Sequence, residues 1–463
     1  MNAHPYMASS PPELLQELLD AVGVADAEEL FAQIPARHRT TGGLQLPRAL
    51  RSEAELGRHL RTTLARNGTC EEHLSFLGGG VWQHHVPAVC DEIAQRTEFL
   101  TPVWGTPASD VGRNQAWFEF ASQLGELLDL DFVGLPVYSW GCAAGHAIRM
   151  AARLTGRREV LVPALLDAER RAVIATYCEP PEMASHLTLV DVEVDPATGS
   201  LDLDQLASVL SERTAAVYFE TPGSLGVIET ECARIAELAR ENGAETIVGV
   251  DPLSLGVLAS PGSYGADIAV GSTQPLGVHM NCGGGVGGFI ATRDEERYAR
   301  EYPTLNVSLV PTRVEGEHGF AMTLFEQSSY GSREHGKDWT GNSVYLWAVV
   351  NATYMALMGP QGFVELGASI LQRSHYAARR IAELPGVRVR WPGFFKELVV
   401  DFTDTGRTVA EVNAALLARG IFGGGDLSRS HPGLGECALY CVTEVHAQED
   451  IDRLAGELAE VTR

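Results

Sequence analysis

Two apolar runs in the middle of the chain end in residues able to do chemistry. TIVGVD stops at Asp251, and DIAVGS leads into Ser272, Thr273, Gln274 and Pro275. A carboxylate at the end of a strand can point at a ligand lying across the sheet, or it can cap the turn that follows, here Pro252 to Gly256. The second run ends where an amine would be needed to form an imine with such a ligand. Gln274 carries a neutral amide that cannot do so, and Pro275 lacks even an amide hydrogen. Only two lysines occur in the 463 residues, Lys337 and Lys396. Lys337 lies in SREHGKDWTGN and Lys396 opens a later strand, so sequence places neither at the strand end.

Other chemistry-bearing side chains flank glycine-rich turns. In WQHHVP, adjacent His84 and His85 on an extended loop point apart, which argues against a two-ligand metal site. His85 is an acid–base candidate and His84 a substrate-binding one, with a structural role as the alternative for both. His146 follows the turn SWGCAAG at the start of a helix, where an anion or ring could approach. It is the second acid–base candidate, against a plain solvent-facing position. Arg333 and Lys337, after YGS, could neutralise a substrate carboxylate or phosphate, or form surface ion pairs. Glycines 283 to 285, 287 and 288 could cradle a phosphate, but no lysine or hydroxyl follows in P-loop order, so a tight crossing is the better reading.

These residues must be held by the elements around them. PELLQELLDAVG and the stretches after it read as an N-terminal helical arm over residues 1–70. From about Asn114, helices alternate with the short apolar runs EVLVPA, LTLVDVEV, AAVYFE, TIVGVD and DIAVGS. That order predicts crossover connections and a mostly parallel sheet with helices on both faces, a large domain over 71–343. Its ligand belongs beyond the carboxyl ends of the strands. The tail changes order, with VRVRW, ELVVDF, a helix, CALYCVTEV and a last helix, so a small α+β domain is expected over 344–463.

Composition narrows the function class. A formal charge of -25 opposes nucleic acid and anionic membrane as partners, since their phosphates would be repelled. Eight scattered cysteines with no C-x-x-C pair indicate neither zinc nor a disulfide framework, and reduced thiols are expected. No apolar segment approaches a membrane-spanning length and the first residues lack a signal-peptide pattern, so a cytoplasmic location is expected.

In enzymes using pyridoxal phosphate on this kind of sheet, the strand-end aspartate pairs with the pyridine nitrogen and makes the ring a better electron sink. Asp251, Ser272, Thr273 and Gln274 are therefore the candidate cofactor-binding set. Several long segments carry a family resemblance as well: FLGGGVWQHHVP at 76–87, VDPLSLGVLASPGSYGADIAVG at 250–271, GGFIATR at 287–293, GPQGFVELG at 359–367 and YCVTEVH at 440–446. Over almost its whole length the chain resembles the subunit 1, or alpha, chains of the two-chain bacterial glycine dehydrogenase (decarboxylating), the P-protein of the glycine cleavage system. The resemblance implies a fold type I pyridoxal-phosphate enzyme whose alpha chain lacks the Schiff-base lysine and pairs with a homologous beta chain that has it. It implies glycine decarboxylation with transfer of the aminomethyl group to the lipoylated H-protein. The sequence departs from the family pattern at LTPVWGTPA (100–108), SWGCAAGHA (139–147), TPG (221–223) and TQPLG (273–277). Two alternatives stay open on these grounds: a diverged subunit or homomer acting on another amino acid or acceptor, and a non-catalytic chain that scaffolds or regulates its partner.

Overall fold

The computed structural model describes every residue except 1–3, 5, 8, 41, 43, 100–106, 324–331 and 338–343. The chain divides into two compact units, Met1–Gly68 and Thr69–Arg463. The first contains helices α1 (Pro12–Val22) and α2 (Glu53–Leu64). Pro12 fits the first turn of α1, where its missing N–H costs nothing, and the Ser52 hydroxyl caps α2 by accepting from the Glu55 N–H. Neither helix buries a side chain, and Leu14, Leu18 and Val22 of α1 are exposed.

The second unit runs β1 (Leu74–Ser75), α3 (Ala88–Ala94), α4 (Pro107–Leu128), β2 (Phe132–Val133), α5 (Trp140–Thr155), β3 (Glu159–Pro163), α6 (Ala168–Cys178) and β4 (Thr188–Val192). Next come α7 (Leu203–Val209), β5 (Thr214–Glu220), α8 (Cys232–Glu241), β6 (Glu245–Val250), β7 (Ile268–Ser272), β8 (Gly288–Thr292), α9 (Glu296–Ala299) and the hairpin β9 (Asn306–Pro311) to β10 (His318–Thr323). The chain ends with α10 (Tyr345–Ala382), β11 (Arg388–Val389), β12 (Glu397–Asp401), α11 (Val409–Leu417), β13 (Ile421–Phe422), β14 (Gly425–Asp426), β15 (Cys437–Cys441) and α12 (Gln448–Val461).

The main sheet has the order β2-β8-β7-β6-β5-β3-β4. Strands β3 to β7 are parallel, β8 is antiparallel to β7, and β2 is antiparallel to β8. Helices cover both faces, so the strands read as unbroken apolar runs, and alternate side chains serve two separate cores. In β5, Ala216 and Tyr218 join the core formed with α5 and α6, whereas Val217 and Phe219 join the core formed with α4, α8 and the first half of α10. A smaller antiparallel sheet, β11-β12-β15-β14, packs on α11, α12 and the second half of α10 around Leu398, Val400, Ala438 and Tyr440. The expected mostly parallel α/β sheet with a C-terminal α+β layer is what forms. Helix α10 is shared between the layers and breaks at Gly359–Pro360, where proline removes a ladder hydrogen bond. Among the described residues no helix is long and apolar enough to cross a membrane.

Candidate active site

Asp251 sits where β6 ends, 2 % exposed. Its Oδ1 accepts from the Leu253 N–H at 3.1 Å, the capping role open to any aspartate before a turn. Its Oδ2 lies 2.7 Å from Lys396 Nζ, a contact of ion-pair distance, with both side chains about 3 % exposed. Lys396 immediately precedes β12 of the small sheet. Sequence position gave no sign that it would reach the main sheet, and the structure corrects that expectation by seating its amine at the pocket floor. The ammonium also approaches His84 Nε2 at 3.0 Å and lies 3.4 Å from the centre of the Trp82 ring. A buried lysine is tolerable only when charge and hydrogen bonding compensate for lost hydration, and Asp251, His84 and the Trp82 face supply both.

His84 is fixed from its other side. Its Nδ1 lies 2.8 Å from Glu444 Oε2, while Glu444 Oε1 accepts the His85 N–H at 2.8 Å. This arrangement suits one tautomer, with Nδ1–H donating to the carboxylate and Nε2 accepting from the lysine. Burial alone would push the Glu444 carboxyl up, but the adjacent His84 and the His85 N–H hold it down at about 2. The result is a line of groups, Glu444, His84, Lys396 and Asp251, running from the small layer to the main sheet.

A second pair closes the opposite wall. Arg170 Nη1 contacts both Glu220 oxygens at 2.6 Å, with the side chains 6 % and 2 % exposed. Tyr218 and Ser224 hydroxyls donate to the same carboxylate, and the guanidinium lies 4.0 Å from the centre of the Trp140 ring. Burial works against the charge on Arg170, and Glu220 more than restores it. Beside Lys396, burial pushes the Glu397 carboxyl up, opposed by the Gly79 N–H that donates to it at 2.6 Å. Trp82, Trp140, Arg170, Asp251, Lys396 and Glu397 all border a cavity of about 10 Å³, room for roughly one water molecule.

The strand-end residues are spent on their own loops. Ser272 Oγ accepts from the Gln274 N–H at 3.2 Å, and Thr273 Oγ1 donates to the Val286 carbonyl at 3.3 Å. Gln274 Nε2 donates to the carbonyls of Trp82 at 3.0 Å and Val278 at 3.1 Å, while its Oε1 accepts from the Trp82 N–H at 3.3 Å. The amide thus ties the loop after β7 to the GGGVW turn. At Gly287, with φ +86°, a Cβ would come within 2.2 Å of Thr273 Oγ1, so this end of the glycine run serves close packing, as sequence suggested.

The remaining candidates lie elsewhere. The His85 side chain is exposed, and only its backbone joins the network. His146 is 3 % exposed, which corrects the solvent-facing alternative: α5 is covered by α6, and His146 packs edge-on against Tyr177 at 4.7 Å. Burial raises the Cys142 thiol, but bonding to His146 and Tyr177 brings it below its ordinary value. Arg333 is exposed, and Lys337 Nζ donates to the Arg300 carbonyl at 2.5 Å; neither borders the cavity at Asp251. Residues 100–106 of LTPVWGTPA lie outside the described residues. Sequence reading missed Lys396, Trp82, Glu444, Arg170 and Glu220 as site residues. The usable signal was a lone lysine abutting an apolar strand, together with WQHH and TEVH as paired histidine and carboxylate sources.

Pyridoxal phosphate does not fit the pocket at Asp251 in this chain as a coenzyme tethered by the chain's own lysine. Its aldehyde needs an amine, and the one amine here faces Asp251, the carboxylate that would take the ring nitrogen. Nitrogen and aldehyde stand on opposite sides of the ring, so one ring cannot pair with Asp251 and be tethered by Lys396. Both pocket cations, Lys396 and Arg170, already have carboxylate partners, which leaves no free charge there for a phosphate.

The family model described as glycine cleavage system P-protein matches residues 6–458. The probable glycine dehydrogenase (decarboxylating) subunit 1 of Staphylothermus marinus is 34 % identical over 100 % of this chain and 99 % of its own length. That of Chlorobium limicola is 36 % identical over 96 % and 97 %. A crystal structure of glycine decarboxylase (P-protein) of the glycine cleavage system, in inhibitor-bound form, superposes with a TM-score of 0.86 at 34 % identity over the full length of both chains. A sphingosine-1-phosphate lyase of Burkholderia pseudomallei, 16 % identical with a TM-score of 0.64, shares the fold. The chain belongs to the glycine cleavage system P-protein family.

Proposed function

We propose that this chain is the subunit without a Schiff-base lysine of a pyridoxal-phosphate glycine decarboxylase, and that a homologous subunit carrying that lysine holds the coenzyme. The observation that carries this reading is the end of β7. Gln274 stands there with its amide bound to the Trp82 and Val278 backbone, and no amine is placed to form an imine. Relatives named subunit 1 support a second subunit, and the lipoylated H-protein is the acceptor such an enzyme needs. This chain's contribution is shape: a rigid, charge-paired body that completes the enzyme from outside the coenzyme's own pocket. Eight cysteines, all unpaired as thiols, agree with a cytoplasmic enzyme.

The test is co-purification with a lysine-bearing homologue, followed by glycine-dependent exchange of carbon dioxide and borohydride reduction of the complex. Exchange is expected only with both chains present, with the reduced coenzyme on the partner peptide alone. Background exchange by the complex, with another amino acid turned over instead, would remove glycine as substrate. The closed pocket also favours a second reading, in which the chain only scaffolds or regulates. It predicts a stable complex in which the partner decarboxylates glycine equally well alone.

A further inference from the structure

The most unusual group in the molecule is a lysine buried between two layers with its ammonium against a strand-end carboxylate. Lys396 comes from the residue before β12, Asp251 from the end of β6, and Trp82 and His84 from the glycine-rich turn between β1 and α3. Two of the three contacts made by Nζ, those with Asp251 and the Trp82 face, are ones that a protonated pyridine ring would make in the same place. Asp251 Oδ2 receives a cation at 2.7 Å, and the Trp82 face receives a partner at 3.4 Å. We infer that Lys396 is a built-in replacement for the coenzyme's pyridinium, so that this pocket rejects pyridoxal phosphate by occupation as well as by lacking a Schiff-base lysine. The inference deepens the function proposed above and rests on it for the identity of the coenzyme alone.

First, a buried carboxylate left without its cation is heavily penalised, so a coenzyme entering Asp251's position must either replace the lysine charge or displace it. The lysine has nowhere better to go, because His84 on its far side is itself held by Glu444. Second, the remaining cavity of about 10 Å³ has no space for an aromatic ring while the lysine side chain is present. Removing Lys396 should both open that volume and leave Asp251 in want of a cationic ring.

The experiment uses the full-length chain alone and pyridoxine 5′-phosphate as probe, a ring phosphate with no aldehyde and hence no ability to react with stray amines. Binding is read as the upward shift of thermal melting and the quench of tryptophan fluorescence from the indoles bordering the pocket. Wild type should show neither up to about 1 mM, whereas Lys396→Met should gain saturable binding at least about tenfold tighter, with melting raised by a few degrees. The double variant Lys396→Met/Asp251→Asn should lose that gain. Should Lys396→Met fail to fold, Lys396→Asn, shorter and still a hydrogen-bond donor, is held to the same outcome. Saturable binding by wild type that disappears in Asp251→Asn would overturn the inference. So would folded Lys396 variants that bind the probe no better than wild type. Failure of the glycine reading shows instead in the exchange assay with the partner chain, and leaves this result untouched.

Discussion

Glu444 illustrates how a single side chain was visible as chemistry but not as a site. Its segment, YCVTEVH, stood out in the sequence, yet its partner His84 lies far back in the chain. With His84 and the His85 N–H holding the folded carboxyl at about 2, below the ordinary value near 4.3, the ionised form stabilises the fold. The contribution is present above the ordinary value and is lost as pH falls through about 2. It amounts to on the order of 3 kcal/mol. Glu444→Gln should therefore flatten the fall in stability between about pH 5 and pH 2, measured by urea unfolding at a series of pH values. An unchanged slope would mean the carboxylate is not held by His84. Asp251 was legible as a strand-end carboxylate because residue identity and strand boundary are both local properties. Its ion pair was not, because nothing near it in sequence carries an amine.

At the scale of elements, the apolar runs that became β3 to β7 were readable because strands buried on both faces leave few polar interruptions. The antiparallel β8 and the β9–β10 hairpin escaped, the first because GGFIATR looks like a glycine-rich loop until β7 lies beside it. Helix α5 was found, but which of its faces met solvent depended on α6 crossing over it, so His146 was misjudged. The junction between sheet and small layer is narrow where β12 begins. At Gly226, with φ +84°, a Cβ would stand 1.9 Å from the Glu397 carbonyl oxygen. Gly226→Ala should therefore cost about 2 kcal/mol or more, combining a left-handed backbone with overpacking. Denaturant unfolding should show a lower midpoint, and a variant as stable as wild type would mean that the two layers can move apart there.

For the whole molecule, the division into Met1–Gly68 and Thr69–Arg463 follows from what each unit buries. Helices α1 and α2 contribute no buried side chain, whereas among the described residues the core clusters all lie in the second unit. Deleting residues 1–68 should thus leave the melting temperature of the remaining chain within about 2 °C of the full-length value, read by circular dichroism. A drop of ten degrees would show that the arm stabilises the body of this chain.

Taken by itself, the amino-acid order determined the alternation of strands and helices, the aspartate at the end of one strand and the absence of lysine at the end of the next. Each of these is settled by residue type and by periodicity over a few neighbours. Only the tertiary structure decided what stands in place of the missing amine's ligand. That required the start of β12 to fold back against the end of β6, bringing Lys396 to Asp251. The physical reason is that burial of charge selects partners by distance in space. A lysine that merely opens a strand in its own segment becomes the counter-ion of a carboxylate contributed by another layer.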